Sequence, residues 1–218
     1  MRRRSPSWYS DPVAEKRKES SGTKRRGSRP AAPAVVSVTT QGGPFKGVST
    51  AVVRRRASKM LAHLALEGVE LSVALVNDEA IHELNRSYRR KDKPTDVLAF
   101  PLLDQNGANS RRRGRRGPVD PSVWRGLLGD VIVSIDTAAR QAAERDRPLL
   151  DEITMLLGHG LLHLLGYDHK TDAEEREMTD LTRELEVAAA SRSNSTTVIK
   201  PHRSTATPNA TPKKTGAR

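Results

Sequence analysis

The alternation of apolar and polar residues along the chain predicts four β-strands. Residues 34–40 (AVVSVTT) and 69–76 (VELSVALV) combine β-branched side chains with a period of about two, which is typical of strands. Residues 96–101 (DVLAFP) and 129–136 (GDVIVSID) are short apolar runs of the length expected for buried strands. The polar, Gly/Pro-rich segment between these last two strands predicts that they are joined by a hairpin loop that has grown long.

Helical periodicity predicts five helices around the strands. They cover residues 48–67, 77–88, 136–146, 149–166 and 171–188. Asp78 is the predicted N-cap of the second helix, and Pro148 opens the fourth. Thr171 and Glu174 have the spacing of a capping box at the start of the fifth helix. The fourth helix is apolar nearly all round, so we expect it to be buried in the core.

The order of these elements, β-α-β-α-β-β-α-α-α, predicts the fold class. We expect an α+β fold in which a small mixed four-stranded sheet packs with about five helices, one of them long and buried. The folded domain is predicted to span residues 34–187. Residues 1–33 and 188–218 have no hydrophobic period and are predicted to be disordered basic tails, and residues 104–126 a basic loop insertion.

The net charge of +12 is unevenly distributed along the chain. Residues 1–30, 104–128 and 188–218 together carry a net charge of +17, which leaves the rest of the chain slightly acidic at −5. Blocks of like charge are usually solvated tails. The excess positive charge therefore lies in the tails and the insertion, and the folded domain is slightly acidic.

Three absences narrow the class of protein. The chain has no Cys, which excludes disulfides and thiolate metal sites and fits a reducing, cytoplasmic location. No apolar run approaches the roughly 20 residues that span a bilayer, so we expect no membrane partner. The N-terminal residues MRRRSPSWYSDP lack the apolar segment of a secretory signal.

The stretch HGLLHLLGYDH, residues 159–169, contains three of the six histidines. His159 and His163 are four residues apart, so they lie on one face of a helix and can bind one zinc ion. Gly166 is the predicted structural turn that lets the chain leave the helix with positive φ and bring His169 to the same ion. Three protein ligands leave a fourth position open to water, as in catalytic zinc sites, so we expect one Zn²⁺ per chain in a zincin-like site.

The residue after the first histidine distinguishes this site from a metzincin protease. Those proteases carry Glu there as general base, whereas this chain has Gly160. A peptide bond needs a proton shuttle to its leaving amine, while a phosphodiester has a better leaving oxygen. The sequence therefore favours phosphodiester chemistry. Asp168 remains a candidate, either as substitute base or as an acceptor that orients a ligand imidazole.

The histidine stretch resembles the signature of the YbeY family, zinc-dependent bacterial endoribonucleases of ribosomal RNA maturation. LNRSYRRKDKPTDVLAFP (84–101) is similar to the family's second motif and LGDVIVS (128–134) to its third. The three blocks occur in the expected order and, together, place residues of about 34–187 in a YbeY-like metal hydrolase domain. Ala99 stands where the family usually has Ser, and the insertion and both tails are longer than the family needs.

The resemblance implies a function and assigns residues to it. It implies a single-strand-specific, zinc-dependent endoribonuclease that matures the 3′ end of small-subunit ribosomal RNA and takes part in ribosome quality control. His159, His163 and His169 would bind the zinc, and Arg89 would be the functional basic residue near the metal, suited to a phosphate or a developing oxyanion. The neighbouring basic residues are expected to contact RNA: Arg86, Arg90, Lys91 and Lys93. The implied partners are ribosomal RNA, the small subunit, a small-subunit ribosomal protein and a ribosome-assembly GTPase.

Two other functions remain open at this point. The metzincin-like spacing suggests a metallopeptidase, which Gly160 disfavours. A ribosome-assembly factor with a structural zinc would also carry the three histidines. The nucleophile of an RNA-cleaving site, water or the 2′-hydroxyl of the RNA, stays undetermined by the sequence.

Overall fold

The computed structural model describes residues 32–102 and 126–191. Four strands occur in these ranges: β1 (Val35–Gln41), β2 (Val69–Val76), β3 (Val97–Pro101) and β4 (Gly126–Ser134). The same ranges contain five α-helices: α1 (Thr50–His63), α2 (Asp78–Leu84), α3 (Ile135–Glu144), α4 (Leu149–Leu164) and α5 (Asp172–Ala190). The predicted disordered tails and insertion lie outside these ranges except for a few residues at their inner ends.

The strands form one mixed sheet in the order β1-β2-β4-β3. β1 and β2 are parallel, as are β2 and β4, and β3 runs antiparallel to β4. The predicted α+β fold with a mixed four-stranded sheet is therefore confirmed. β3 is an edge strand of this sheet, which leaves one side of its backbone accessible to side chains from the preceding loop.

The side chains of β3 alternate between two hydrophobic clusters on opposite faces of the sheet. Val97 and Ala99 pack into the cluster that contains α1, α4 and α5, while Leu98 and Phe100 pack with the residues of α2. The buried α4 lies in the larger cluster between the sheet and helices α1 and α5. The predicted long buried helix is confirmed by its nearly continuous burial from Glu152 to Leu164.

The N-cap of α2 differs from the prediction. Asn77, not Asp78, is the capping residue, and its side chain accepts a hydrogen bond from the backbone N–H of Ala80. Asp78 instead lies in the first turn, where its carboxylate accepts hydrogen bonds from Ser134 and Thr137 and pairs with Arg140 at 2.7 Å. Asn and Asp are both common N-cap residues. The Asp78 side chain is already bonded to Thr137 and Arg140 of α3, so Asn77 caps the helix.

Several element boundaries also differ, and α1 ends at His63, four residues before the predicted end at 67. β4 begins at Gly126, three residues before the predicted start, and α5 continues to Ala190 beyond the predicted end at 188. In β4 the register shifts between Glu70 and Leu71 of the partner strand, at a bulge that includes Gly129 with φ +144°. A β-carbon at Gly129 would lie 2.4 Å from the carbonyl oxygen of Phe100, so the pairing of β4 with β3 requires glycine there.

Replacing Asp78 with Asn is expected to destabilise the protein in a pH-dependent way. Burial disfavours the charged carboxylate, but the hydrogen bonds from Ser134, Thr137 and Arg140 outweigh it and hold the pKa of Asp78 below its ordinary value. A lowered pKa contributes stability that is present above the unfolded pKa and is lost as the pH falls through the folded pKa. We expect Asp78→Asn to cost about 1–2 kcal/mol in urea unfolding at pH 7, with the difference shrinking below about pH 4. The exposed Asp180→Asn is the control, and a difference that persists unchanged into the acid range would contradict the assignment.

Among the residues that the structure describes, no helix is long and apolar enough to cross a membrane.

Candidate metal centre

Three histidines converge at the C-terminal end of α4. His159 and His163 stand one turn apart on the helix, with ring centroids 4.8 Å apart. His169, in the loop that follows, lies 5.7 Å from His159 and 5.3 Å from His163 by the same measure. One ring nitrogen from each residue falls within 4.8 Å of the others, close enough for the three to share one metal ion.

The turn after α4 brings His169 back toward the helix. Gly166 has φ +90°, a conformation that a β-carbon would strain. Its N–H donates to the carbonyl of His163, and the N–H of Tyr167 donates to the carbonyl of Leu162, both at 3.1 Å. This double hydrogen-bond pattern is a Schellman motif, which ends a helix and reverses the chain within two residues. The turn therefore explains why a histidine only six residues after His163 can reach the same point.

A backbone carbonyl selects the tautomer of His163. Nδ1 of His163 lies 3.1 Å from the carbonyl oxygen of Tyr167, which can only accept a hydrogen bond. The proton must therefore reside on Nδ1, which leaves the lone pair of Nε2 available to a metal. Nothing in the sequence pattern marks this acceptor, because it is a main-chain atom.

Burial keeps the two helical imidazoles neutral. It lowers the pKa of His159 to about 4, assisted by the charges of His163 and His169 and opposed by Asp96. Burial also lowers the pKa of His163, against a raising effect of the hydrogen bond to Tyr167. A metal binds the neutral imidazole, so a set of imidazoles that stays unprotonated at neutral pH fits a divalent transition metal. The absence of Cys leaves nitrogen and oxygen donors only.

Gly160 packs against the sheet. A β-carbon built at this position would lie 2.7 Å from Cγ1 of Val131 and 3.1 Å from Cγ2 of Val97. The helix thus presents its histidines to the site while the residue between them faces β3 and β4 at a distance that only glycine allows. A carboxylate general base cannot occupy position 160 without displacing the side chains of Val131 and Val97.

Asp168 lies in the loop between Gly166 and His169. Its Oδ1 accepts a hydrogen bond from the backbone N–H of His169 at 3.0 Å, and its Oδ2 pairs with Lys170 at 2.5 Å. The hydrogen bond with Lys170 holds the pKa of Asp168 below its ordinary value. The carboxylate thus orients the backbone of the third histidine, whereas the acceptor for the His163 imidazole is the Tyr167 carbonyl.

Arg89 stands at the end of a π-helical turn, Asn85–Arg89, that follows α2. Its Nη2 donates to the carbonyl of Ala99 on β3 at 3.3 Å. Its positive charge is one of the influences that lower the pKa of His163, so the guanidinium is within electrostatic range of the histidines. The structure therefore brings Arg89 near the cluster although 70 residues separate it from His159.

The remaining predicted RNA contacts lie in the same loop. Four basic side chains here are exposed to solvent: Arg86, Arg90, Lys91 and Lys93. The loop is anchored from inside by the buried Asn85, whose amide donates to the carbonyl of Lys93 at 2.7 Å. Arg90 adopts a left-handed conformation with φ +59°, where the chain turns away from the helix. The four basic side chains thus lie on a segment that the Asn85 hydrogen bond fixes beside β3.

Asp96 is a residue of the site that the sequence analysis missed. Its charge raises the pKa of His159, so the carboxylate lies within electrostatic range of the first histidine. Its carboxylate accepts hydrogen bonds from the backbone N–H of Val97 at 2.8 Å and from Gln141 Nε2 at 3.1 Å. The signal available in the sequence was an acidic residue directly before a buried strand, which is a common pattern and too weak to indicate a site.

Comparison with known proteins assigns the family. A family model described as Endoribonuclease YbeY matches residues 45–188. A protein named Endoribonuclease YbeY from Anaeromyxobacter dehalogenans is 44% identical over 133 residues, which is 61% of this chain and 61% of that protein. Its counterpart of the same name in Myxococcus xanthus is 46% identical over 129 residues, covering 59% of this chain and 40% of that protein.

Coverage differs among the relatives. The matched segment spans less than two thirds of the length of the two relatives above. The Aquifex aeolicus protein named Endoribonuclease YbeY is 42% identical over 134 residues, covering 62% of this chain and 77% of that protein. A solution structure from Thermotoga maritima aligns with 26% identity and a TM-score of 0.46 over 70% of this chain and 89% of its own, and the assignment does not depend on it. Since the family model extends over the basic loop, β3, β4 and all three histidines, the chain belongs to the YbeY family.

Proposed function

We propose that this protein is a zinc-dependent endoribonuclease that cuts single-stranded RNA. The observation that carries the proposal is the convergence of three histidine imidazoles with the exposed guanidinium of Arg89 in electrostatic range. Membership of a family whose curated members are named endoribonucleases supports the same reaction. We assign to it one zinc ion per chain and a catalytic domain of residues 34–187.

The three histidines would hold the metal. His159 and His163 offer nitrogens from a rigid buried helix, and His169 completes the set from the Schellman turn. When bound, zinc supplies a Lewis acid that polarises a phosphoryl oxygen and acidifies a water molecule. The Tyr167 carbonyl keeps the proton of His163 on Nδ1, and Asp168 holds the backbone of His169 in place.

Arg89 would bind the phosphate. A guanidinium can donate two parallel hydrogen bonds to phosphate oxygens and remains charged at every working pH. Its bond to the Ala99 carbonyl is long at 3.3 Å, and the side chain is exposed, so it can turn toward a substrate with little loss. Water and the 2′-hydroxyl of the RNA are both compatible nucleophiles, and the cleavage ends distinguish them.

The two competing functions receive less support. A peptidase needs a proton donor for its leaving amine, and the packing of Gly160 against Val131 excludes a carboxylate at the usual position. A structural zinc needs no exposed cation beside it, yet Arg89 and four further basic residues occupy the neighbouring loop. Asp168 remains our candidate for a substitute base, although its lowered pKa makes it a weak one.

The biological role follows from the proposed reaction. We assign the protein to maturation of the 3′ end of small-subunit ribosomal RNA and to ribosome quality control in the cytoplasm. Its partners would be ribosomal RNA and the small subunit, with a small-subunit ribosomal protein and a ribosome-assembly GTPase as protein contacts. Family membership supports these assignments, and the exposed basic loop gives the RNA a surface to bind.

Charge reversal at Arg89 tests the proposal. Losing one preorganised donor to the phosphate and adding repulsion is expected to lower kcat/KM on a single-stranded ribosomal RNA precursor by roughly 100-fold or more, with Arg89→Lys in between. Arg183→Glu, on the exposed surface of α5, is the matched control and should change little. Cleavage that survives a chelator, or zinc-dependent cleavage of casein in place of RNA, would sink the proposal.

A further inference from the structure

Tyr88 is exposed where a tyrosine is expected to be partly buried. In the described ranges three large hydrophobic side chains are exposed, namely Val35, Tyr88 and Val187, and Tyr88 is the aromatic one at 42%. It lies within the π-helical turn next to Arg89. Exposed basic residues, Arg86, Arg89 and Arg90, flank it in the same turn. This combination of an exposed ring and clustered positive charge is typical of surfaces that bind single-stranded nucleic acid.

The ring of Tyr88 is supported from below. It meets the ring of Phe100 edge to face, with centroids 5.1 Å apart and an interplanar angle of 67°. Phe100 belongs to β3 and packs against the cluster formed with α2, so it is held by the sheet. An aromatic ring fixed in this way loses little conformational entropy when a second ring stacks on it.

The edge strand β3 lies between Tyr88 and the histidines. Ala99 faces α4, which carries His159 and His163, while Phe100 faces the opposite side of the sheet. Arg89 spans this edge, because its backbone adjoins Tyr88 and its guanidinium reaches the Ala99 carbonyl. An RNA strand that crosses the edge would place a phosphate at Arg89 and an adjacent base at Tyr88.

We propose that Tyr88, backed by Phe100, is a stacking platform for an unpaired nucleobase next to the phosphate bound by Arg89. The inference rests on the proposed function and adds to it a physical source of single-strand specificity. A base inside a duplex already stacks on its neighbours and pairs across the helix, so it cannot lie on the tyrosine without being extruded. An unpaired base has a free face at no such cost.

Binding to metal-stripped protein tests the platform without interference from cleavage. The probe is a fluorescein-labelled, mixed-sequence RNA of about 12 nucleotides, followed by anisotropy with the full chain. We expect Tyr88→Ala to raise Kd by roughly 10- to 100-fold, and Tyr88→Phe and Tyr88→Trp to bind like the wild type. Binding of a blunt duplex of the same length should be unchanged in all variants. Val187→Ala, an exposed apolar residue on α5, is the matched control.

A leucine variant separates stacking from simple packing on Phe100. Tyr88→Leu keeps an apolar contact with Phe100 but has no ring, so it should bind as weakly as Tyr88→Ala while its unfolding midpoint stays near that of the wild type. Wild-type affinity in Tyr88→Leu or Tyr88→Ala would overturn the inference. So would an equal loss of affinity for the duplex, because it would show a general effect on the charged surface.

The proposed reaction can fail independently of the platform. If the zinc-loaded wild type does not cut RNA but Tyr88→Ala still weakens single-strand binding selectively, the platform stands and the nuclease proposal falls. If the wild type cuts RNA and Tyr88→Ala binds and cuts like it, the platform falls alone.

Discussion

His163→Ala is expected to abolish metal binding and RNA cleavage together. His163 is the proposed ligand whose tautomer is selected by the Tyr167 carbonyl, and its ring contacts both other imidazoles of the cluster. Removing it leaves two imidazoles, which hold a divalent ion far less tightly than three. A catalytic metal would contribute several kcal/mol of transition-state stabilisation, so its loss should lower the cleavage rate by about 1,000-fold or more.

The measurement combines metal content with single-turnover cleavage of a single-stranded RNA. His63→Ala, a partly buried histidine in the last turn of α1, is the control, and it should keep one zinc per chain and full activity. Circular dichroism checks that both variants are folded. A His163→Ala protein that cleaves at the wild-type rate would show that the cluster is not the reaction centre.

Gly160→Glu is expected to destroy the fold instead of creating a protease. The substitution would reproduce the His-Glu pair of a metzincin in sequence, but its β-carbon would lie 2.7 Å from Cγ1 of Val131. Overpacking of this kind costs about 1–3 kcal/mol, and an unpaired carboxylate in an apolar layer adds several kcal/mol. Against a total stability of about 5–15 kcal/mol, this change should leave the protein largely unfolded or insoluble.

Two single alanine variants on the same helix, compared with each other, measure the cost of crowding at position 160. Gly160→Ala should lower the free energy of unfolding by about 1–3 kcal/mol, since it adds only the crowded β-carbon. Gly158→Ala is the matched control because its nearest neighbour would be Leu185 at an ordinary 3.5 Å, and alanine stabilises a helix relative to glycine by about 0.5–1 kcal/mol. Equal stability of the two variants in urea unfolding would contradict the packing role of Gly160.

Most of the fold was predictable from local patterns. The second strand was predicted at residues 69–76, where the structure has it, and the Thr171–Glu174 capping box starts α5 as predicted. The order of strands in the sheet was not predicted. It places β4 between β2 and β3. The β3–β4 pairing agrees with the predicted hairpin, whereas the parallel β2–β4 pairing depends on how the helices cover each face, which no single segment encodes. The cap at Asn77 was also missed, because the contacts that engage Asp78 come from Ser134, Thr137 and Arg140, which are distant in the sequence.

The candidate site was predictable where it depends on helical spacing and a glycine turn. His159, His163 and His169 come together because α4 and Gly166 are local features. The Tyr167 carbonyl and Asp96 were not predictable, since one is a main-chain atom and the other acts on His159 from a segment 63 residues earlier in the chain, just before β3. The sequence showed only that Gly160 replaces the Glu base of a metzincin. The structure adds that a β-carbon at this position would crowd Val131, so packing also requires glycine.

Zinc titration of the metal-stripped protein tests whether the three-histidine site carries out the cleavage. The stripped full chain is mixed with a single-stranded ribosomal RNA precursor, and cleavage is measured as zinc is added from zero to two equivalents. We expect no cleavage without metal and a rise in the cleavage rate that saturates at one zinc per chain, with His163→Ala inactive throughout. Cleavage by the stripped protein at the rate of the zinc-loaded one would contradict this expectation.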